Sequence, residues 1–445
     1  MKKVELPKAF AERVSKDPFL GDSLLQALNE EQPIAIRINS SKGTSGFNDL
    51  ETIPWSKNGF YLKERPIFTL DPHFHGGSYY PQEAGSQFID YILRQLNLPD
   101  EPVLLDLCAA PGGKSTLIAD FLNGHGLLLA NEVIQNRSKI LKENLTKWGA
   151  KNSLVSNNDP ADFEALKSVF DCILIDAPCS GEGMFRKDQE ARNEWSVESV
   201  NLCAARQKRI VMDVWDSLKP GGFLIYSTCT FNTQENEENV QWILDKTDSQ
   251  IHSLEVPFAK KGRNDVGYYA LPSELKTEGF YVVVIRKLGE ERSQKIKSKK
   301  KSSLTKLKPE PWFNEWVGDS KSEFIQWNNY VFAIPEGKSE LVETLHSHLR
   351  IIKMGTELGE VSRKGLIPNE ALALDPSILS SQIPNIELNR DQALHYLKGE
   401  TFNLDGKHGF HTVSFEGTKL GWIKHLGNRF NNLFPKEWRI RMRID

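Results

Sequence analysis

Cysteine is scarce in this chain: five in 445 residues, an odd number scattered along the sequence. That excludes a disulfide framework and leaves reduced thiols available for chemistry. No Cys-x-x-Cys pair and no His-x-x-x-His spacing occurs, so the sequence offers no metal site. Long apolar runs are missing too. None approaches the roughly 20 residues of a membrane span, and Met1-Lys2-Lys3-Val4-Glu5 lacks the apolar stretch of a signal peptide. A cytoplasmic protein without membrane association is expected. Nor is there an excess of one charge: a net charge of −3 is no global signature of a polyanion binder, so any nucleic-acid contact must come from local patches. What is present, 39% hydrophobic and 26% charged residues, is the balance of a globular protein. The length exceeds one ordinary core and implies about two to four domains.

The spacing of Phe10, Val14, Phe19, Leu24, Leu25 and Leu28 predicts two short amphipathic helices between Leu6 and Glu30. Pro33–Asn39 alternates like a strand, and a further strand is expected within Tyr61–Leu70. Helical spacing returns near Gln82, with Phe88, Ile89, Ile92 and Leu96. Short continuous apolar runs then alternate with helical stretches: Val103–Leu107, a helix from Ser115, Leu127–Glu132, a helix over Arg137–Trp148, Ser153–Val155, Cys172–Asp176, a helix over Cys203–Leu218, and Phe223–Ser227. That alternation is what a buried parallel sheet requires.

Lys295, Lys297, Lys299, Lys300, Lys301, Lys306 and Lys308, interleaved with serines and ending at Pro309 and Pro311, mark a boundary. They read as a solvated linker, or alternatively as a phosphate-contacting arm. The last stretch, Trp438–Ile444, alternates strictly and predicts a strand whose polar face is Arg439, Arg441 and Arg443. The division expected is an N-terminal α+β module (1–95), a catalytic domain (96–288), a basic linker (289–310), an intermediate C-terminal domain (311–385) and a terminal domain (386–445).

Asp106-Leu107-Cys108-Ala109-Ala110-Pro111-Gly112-Gly113-Lys114-Ser115-Thr116 joins a strand to a helix through a Pro-Gly-Gly turn. Glycines let a ligand approach the backbone, and a helix N-terminus presents unpaired N–H groups. A P-loop needs glycine where Cys108 stands, so this is no nucleoside triphosphatase loop. The Gly-x-Gly-x-x-Gly form is absent, and nothing suggests a nicotinamide. Glu132 closes the next strand, where a carboxylate can bind ribose hydroxyls; Asp159 follows the third strand, where it can receive an adenine amino group; Asp176 closes the fourth. Two strands end on cysteines, in Asp176-Ala177-Pro178-Cys179 and in Ser227-Thr228-Cys229-Thr230-Phe231. Strand ends of an open parallel sheet converge on one crevice, which suggests covalent chemistry on a small electrophile. Cys172 and Cys203 read as small core hydrophobes and Cys108 as a packing residue of the cofactor loop.

These three motifs in this order, with Tyr80-Pro81-Gln82-Glu83-Ala84 before them, resemble the Nol/Sun family of RNA cytosine-5 methyltransferases over about residues 30–287. Leu420–Lys424 and Leu433–Lys436 are similar to the PUA-like tail of the bacterial RsmF type, which methylates small-subunit ribosomal RNA. The resemblance implies a class I, Rossmann-like S-adenosylmethionine-dependent methyltransferase: a seven-stranded α/β sheet with an N-terminal α+β module and C-terminal α+β and PUA-like modules. It implies methyl transfer from S-adenosylmethionine to carbon 5 of cytidine. Cys229 is then the nucleophile, and Cys179 assists proton removal or product release. Asp176 hydrogen-bonds the cytosine edge, and Lys114 positions Asp176 or lowers a thiol pKa.

The cofactor set is Cys108, Ala109, Ala110, Pro111, Gly112, Gly113, Lys114, Glu132, Arg137, Asp159 and Asp176. DNA cytosine-5 methyltransferases use the Pro-Cys thiol instead, here Cys179. RNA contacts are expected from Arg186, Lys187, Arg439, Arg441 and Arg443, and more weakly from Arg37. The implied partner is structured RNA, 16S rRNA or the small ribosomal subunit, bound by a monomer, and on the domain division above deleting everything beyond Pro309 is expected to weaken RNA binding and spare S-adenosylmethionine binding. Transfer RNA, or a non-catalytic assembly role, is the alternative.

Overall fold

The computed structural model describes residues 4–42, 47, 50–290, 303–308, 313–318, 321–363 and 365–444. Five apolar strands build its centre: Val103–Asp106 (β1), Leu127–Asn131 (β2), Ser153–Ser156 (β3), Phe170–Asp176 (β4) and Leu218–Thr228 (β5). They run parallel in the order β3-β2-β1-β4-β5. Alternate residues feed two cores, Leu105, Leu129 and Ile173 on one face and Leu104, Leu128 and Leu174 on the other. Burial on both faces explains why these strands read as continuous apolar runs and not as alternation.

Ser249–Ile251 (β6), Lys260–Lys261 (β7), Tyr268–Ala270 (β8) and Phe280–Lys287 (β9) complete one side. β9 lies antiparallel beside β5, β6 and β8 both pair with β9, and β7 pairs with β8. The crossover helices are Gly113–Leu122 (α1), Gln135–Trp148 (α2), Val197–Trp215 (α3) and Glu237–Lys246 (α4). A capping box between Ser196 and Ser199 starts α3 six residues before the apolar pattern suggested.

The expected seven-stranded sheet has ten strands. The addition with most consequence is Ile351–Met354 (β10), which pairs antiparallel with β3 from far along the chain. Without it β3 would be an open edge with unpaired backbone groups. Phe332, Ile334, Val342, Leu345, Ile351 and Met354 are buried in the same cluster as the catalytic strands. The stretches expected as a catalytic domain and an intermediate domain therefore share one sheet and one core.

The N-terminal helices Lys8–Lys16 and Gly21–Ala27 insert Phe10, Val14 and Leu24 into that core as well. A four-stranded sheet follows them, with the predicted strand Ile34–Ile38 between Gly59–Leu62 and Tyr79–Pro81. Beyond residue 303 come a five-stranded sheet and, last, a four-stranded sheet of Asn385–Glu387, Gly409–Phe415, Thr418–His425 and Phe430–Asn432.

Lys295, Lys297, Lys299, Lys300, Lys301, Pro309 and Pro311 lie outside the described residues. Lys306 sits in a strand, Leu304–Leu307, and pairs with Glu323 at 2.6 Å, so this end of the basic run is folded. The strand predicted at Trp438–Ile444 is absent. A 3-10 turn at Lys436–Trp438 leads into irregular chain whose Ile440 is buried against the helix Arg390–Leu397, its N–H on the Leu397 carbonyl. Ile440 is the only buried residue of that stretch and Met442 is exposed, so the alternation of residue types there is not an alternation of burial. Arg441 and Arg443 are exposed, whereas Arg439 is half-buried against Gly399, so the three arginines form no single stripe.

Candidate active site

β1 ends at Asp106, and the loop after it turns into α1 at Gly112, whose φ of +117° suits glycine. The loop is held from behind. The Ala109 N–H donates to the Asn131 carbonyl at the end of β2 (2.9 Å). Arg137 and Asn144 of α2 donate to the carbonyls of Ala110 (2.7 Å) and Pro111 (2.8 Å). Asp106 is fully buried. One of its oxygens accepts from the Ser115 hydroxyl (2.6 Å), and the other has no protein partner. Burial pushes its pKa up to about 7, with the Ser115 hydrogen bond opposing and the charge of Asp176 adding.

β4 and β5 end level, Asp176 opposite Ser227, so their terminal loops leave the sheet side by side. This brings the sulfurs of Cys179 and Cys229 to 3.1 Å, both as free thiols. The hydrogen bond to the Cys229 sulfur, burial and the nearby Cys229 and Glu235 charges hold the Cys179 pKa well above the usual thiol range. Lys114, one residue into α1, reaches Asp176 at 2.8 Å, and the Ser227 hydroxyl donates to the second Asp176 oxygen at 2.9 Å. Burial alone would lower the Lys114 pKa, but Asp176, Asp106 and Cys229 outweigh it and leave it raised.

A cavity of about 280 Å³ opens here. Cys108, Ala109, Ala110, Pro111, Gly113, Lys114, Asp176 and Cys229 line it, facing Tyr80, Gln82, Glu278 and Phe280. Cys179, half-buried like Cys229, is not part of the wall. Glu132, Arg137 and Asp159 are outside it as well. Glu132 is buried, accepts from the Ile134 N–H (2.9 Å) and lies 3.5 Å from Arg137. Asp159 caps the turn Pro160–Ala165 and pairs at 3.5 Å with Arg209. A larger cleft of about 640 Å³, where Trp148, Lys151 and Pro335 meet, holds no cysteine.

Of the expected RNA contacts near the thiols, Lys187 is exposed and lines the cavity. Arg186 does not serve as a surface contact. Its side chain is 5% exposed, turned inward onto Glu278 (3.4 Å) and the carbonyls of Ala27 and Thr277. Arg37 is likewise buried, donating to Gln82 (2.9 Å) and Thr116 (2.5 Å) over the Trp148 ring. Both guanidiniums are consumed by the fold because the chain surrounds them with acceptors. Glu278, which the sequence did not single out, lines the cavity with one oxygen unpartnered; burial pushes its pKa up to about 7 against the pull of Arg186. It stands 49 residues beyond Cys229 in the sequence, outside any motif that marks it.

The strand order, the antiparallel β9 beside β5 and the glycine loop after β1 define a class I S-adenosylmethionine-dependent methyltransferase. The donor set fits that cofactor: an unpartnered buried carboxylate oxygen on Asp106 suits an ammonium group, and the α1 N-terminus suits a carboxylate.

Residues 93–286 match the family described as 16S rRNA methyltransferase RsmB/F, residues 6–84 the N-terminal domain of 16S rRNA methyltransferase RsmF, and residues 383–440 the methyltransferase RsmF PUA domain. A ribosomal RNA small subunit methyltransferase F of Shewanella loihica is 32% identical over 418 residues, 87% of this chain and 83% of the relative. Its Vibrio cholerae counterpart is 31% identical over 469 residues, 98% of each chain. A methyltransferase homolog protein from Pyrococcus horikoshii superposes with a TM-score of 0.55 at 28% identity, over 64% of this chain and 96% of that one. NSun6 of the same organism, solved with SFG, shares the fold at a TM-score of 0.56 and 21% identity, over 64% of this chain and 100% of that one. The chain belongs to the RsmB/F family of 16S rRNA methyltransferases, in its RsmF branch.

Proposed function

We propose that the chain methylates carbon 5 of a cytidine in 16S ribosomal RNA through a covalent adduct on Cys229. The observation that carries this reading is one cavity wall bearing the Cys229 thiol, the Lys114 ammonium and the Asp176 carboxylate, with the Cys179 thiol 3.1 Å from Cys229. Carbon 5 of cytosine is a poor nucleophile. Addition of the Cys229 sulfur to carbon 6 forms a C–S bond and shifts electron density toward carbon 5 and ring nitrogen 3. Asp176 holds the base edge by accepting from its amino group, and the Lys114 ammonium beside it offsets the developing negative charge.

S-adenosylmethionine, when bound, would supply an electrophilic methyl group on its sulfonium: carbon 5 gains the methyl as the S–CH₃ bond breaks and a neutral thioether leaves. Cys179 helps remove the carbon 5 proton or release the product, and the electrons left on carbon 5 expel the Cys229 thiolate. Cys229 is favoured over Cys179 as nucleophile because it lines the cavity, while Cys179 does not and holds its proton tightly. The target base leaves its stack to enter, at a cost of a few kcal/mol that is lowest in single-stranded RNA.

For the cofactor, Asp106 would hold the α-amino group, the α1 N-terminus the carboxylate, and Glu132 the ribose hydroxyls. Arg137 supports the loop, and Asp159 would receive the adenine amino group. Lys187, Arg441 and Arg443 are the candidate RNA phosphate contacts, and Arg439 contributes from its half-buried position. The division proposed is an N-terminal module, a catalytic domain and a terminal domain, with the residues between 311 and 385 packed on the catalytic sheet.

The test is methyl incorporation into 16S rRNA lacking the modification, with labelled cofactor, followed by nucleoside analysis. We expect 5-methylcytidine as the labelled product. Label at another base, or none on rRNA, would refute the reading.

A pH dependence follows from Asp106. Its carboxyl is protonated below about 7, and an ammonium ligand binds the ionised form better. Cofactor affinity should therefore rise with pH on the acid limb, by up to about tenfold per unit between about pH 5.5 and about 7. Asp106→Asn should flatten that limb, as read by calorimetry across the range.

A further inference from the structure

The two cysteine loops come from strands 50 residues apart in sequence, yet their sulfurs stand 3.1 Å apart. Two fully buried carboxylates, neither at the cavity wall, join them. Glu235, six residues after Cys229, reaches back to the other loop. One of its oxygens accepts from the Ser180 N–H (3.0 Å) and Gln207 (2.7 Å), the other from the Ser180 hydroxyl (2.5 Å) and Asn232 (2.7 Å). Glu182, three residues after Cys179, reaches forward. It accepts from the Phe231 N–H (2.8 Å), Trp195 (3.1 Å), Asn232 (3.3 Å) and Arg13 of the first helix (2.7 Å). Asn232 thus donates to both carboxylates. The Gly183 N–H closes the exchange on the Cys229 carbonyl (2.8 Å), where a side chain at position 183 would meet three backbone oxygens.

We infer that Glu235 and Glu182 are reciprocal positioning residues, each borne on one cysteine loop and fixing the other: Glu235 sets Cys179 through Ser180, and Glu182 sets Cys229 through Phe231. Every partner of either carboxylate is a donor, or in Ser180 a hydroxyl acting as one. Charge-assisted bonds of this kind are short and directional. An amide in place of either acid puts an NH₂ against another donor, so the loop it holds must shift. Because the two acids hold different loops, their loss should affect different steps of the adduct chemistry.

The inference rests on the covalent mechanism proposed above, and the experiment separates the two. Full-length wild type, C179A, C229A, E235Q and E182Q are incubated with unmodified 16S rRNA and S-adenosylmethionine. Denaturing gels then read the covalent protein–RNA complex, beside turnover, melting temperature and cofactor affinity. C179A accumulating adduct and C229A forming none establishes the mechanism; no adduct with C179A refutes that mechanism instead of the clamp.

With the mechanism standing, E235Q should behave like a weaker C179A. Turnover falls on the order of 10- to 100-fold, the cost of misplacing a reacting group by about an ångström, and adduct accumulates about tenfold over wild type. E182Q should lose turnover without accumulating adduct, because addition itself is slowed. E235Q that is folded, binds cofactor and accumulates no adduct overturns the inference, as does E182Q that accumulates it. Should E235Q fail to fold, S180A removes a single clamp bond, and it must still raise the adduct level above wild type or the inference falls.

Discussion

Cys229→Ala is expected to abolish methyl transfer, a loss on the order of 10³-fold or more, because the other thiol on the cavity wall, Cys108, is held protonated by burial and by the charge of Asp106. It should leave cofactor affinity unchanged, since the glycine loop is built from β1, α1 and α2. Cys179→Ala is expected to give the opposite signature. Addition and methyl transfer proceed, release stalls, and a complex with RNA that survives denaturant builds up with Cys229 as its attachment point. Mass spectrometry of the trapped peptide reads the attachment residue directly. Attachment at Cys179 in a Cys229→Ala protein would reverse the two roles and give this chain the order of the DNA enzymes.

Ending the chain after residue 290 is expected to destabilise the catalytic half severely. Modular division of the sequence suggested that such a truncation would spare cofactor binding, but the shared core argues otherwise. β10 covers the β3 edge, and Phe332, Ile334, Val342, Leu345, Ile351 and Met354 pack into the cluster that holds Leu129, Leu154 and Phe163. Each fully buried side chain of this size is worth roughly 1.5–3 kcal/mol, so losing several approaches the whole stability of a domain, about 5–15 kcal/mol. The truncated protein should melt at least about 10 °C below the full chain or aggregate through its exposed edge. Differential scanning calorimetry decides it; an unchanged melting temperature would show that the catalytic half is self-sufficient.

The site was legible wherever chemistry and local pattern coincide. Pro-Gly-Gly before a helical run marks a ligand loop because only glycine takes the backbone angle at Gly112. Cysteines that end apolar runs mark a crevice because parallel strands end together. Lys114 and Asp176, 62 residues apart, were both flagged and do meet. Basic residues were read poorly. Arg186 and Arg37 resemble RNA contacts in sequence, yet each is buried among acceptors that come from distant segments. The terminal arginine row failed for a related reason: of Trp438–Ile444 only Ile440 is buried, against a helix, and Met442 is exposed, so the alternation of residue types is matched by no strand and no alternation of burial.

Composition and motif order alone determined a parallel α/β sheet, a glycine loop at its first strand end and two thiols at the fourth and fifth, because local backbone preference and burial on both faces leave their mark residue by residue. Only the tertiary structure decided that the thiols touch, that Glu182 and Glu235 exchange loops beneath them, and that residues 351–354 finish the catalytic sheet. Those facts depend on pairing between segments 50 to about 200 residues apart. A buried carboxylate or an edge strand has no local signature of the partner that will satisfy it.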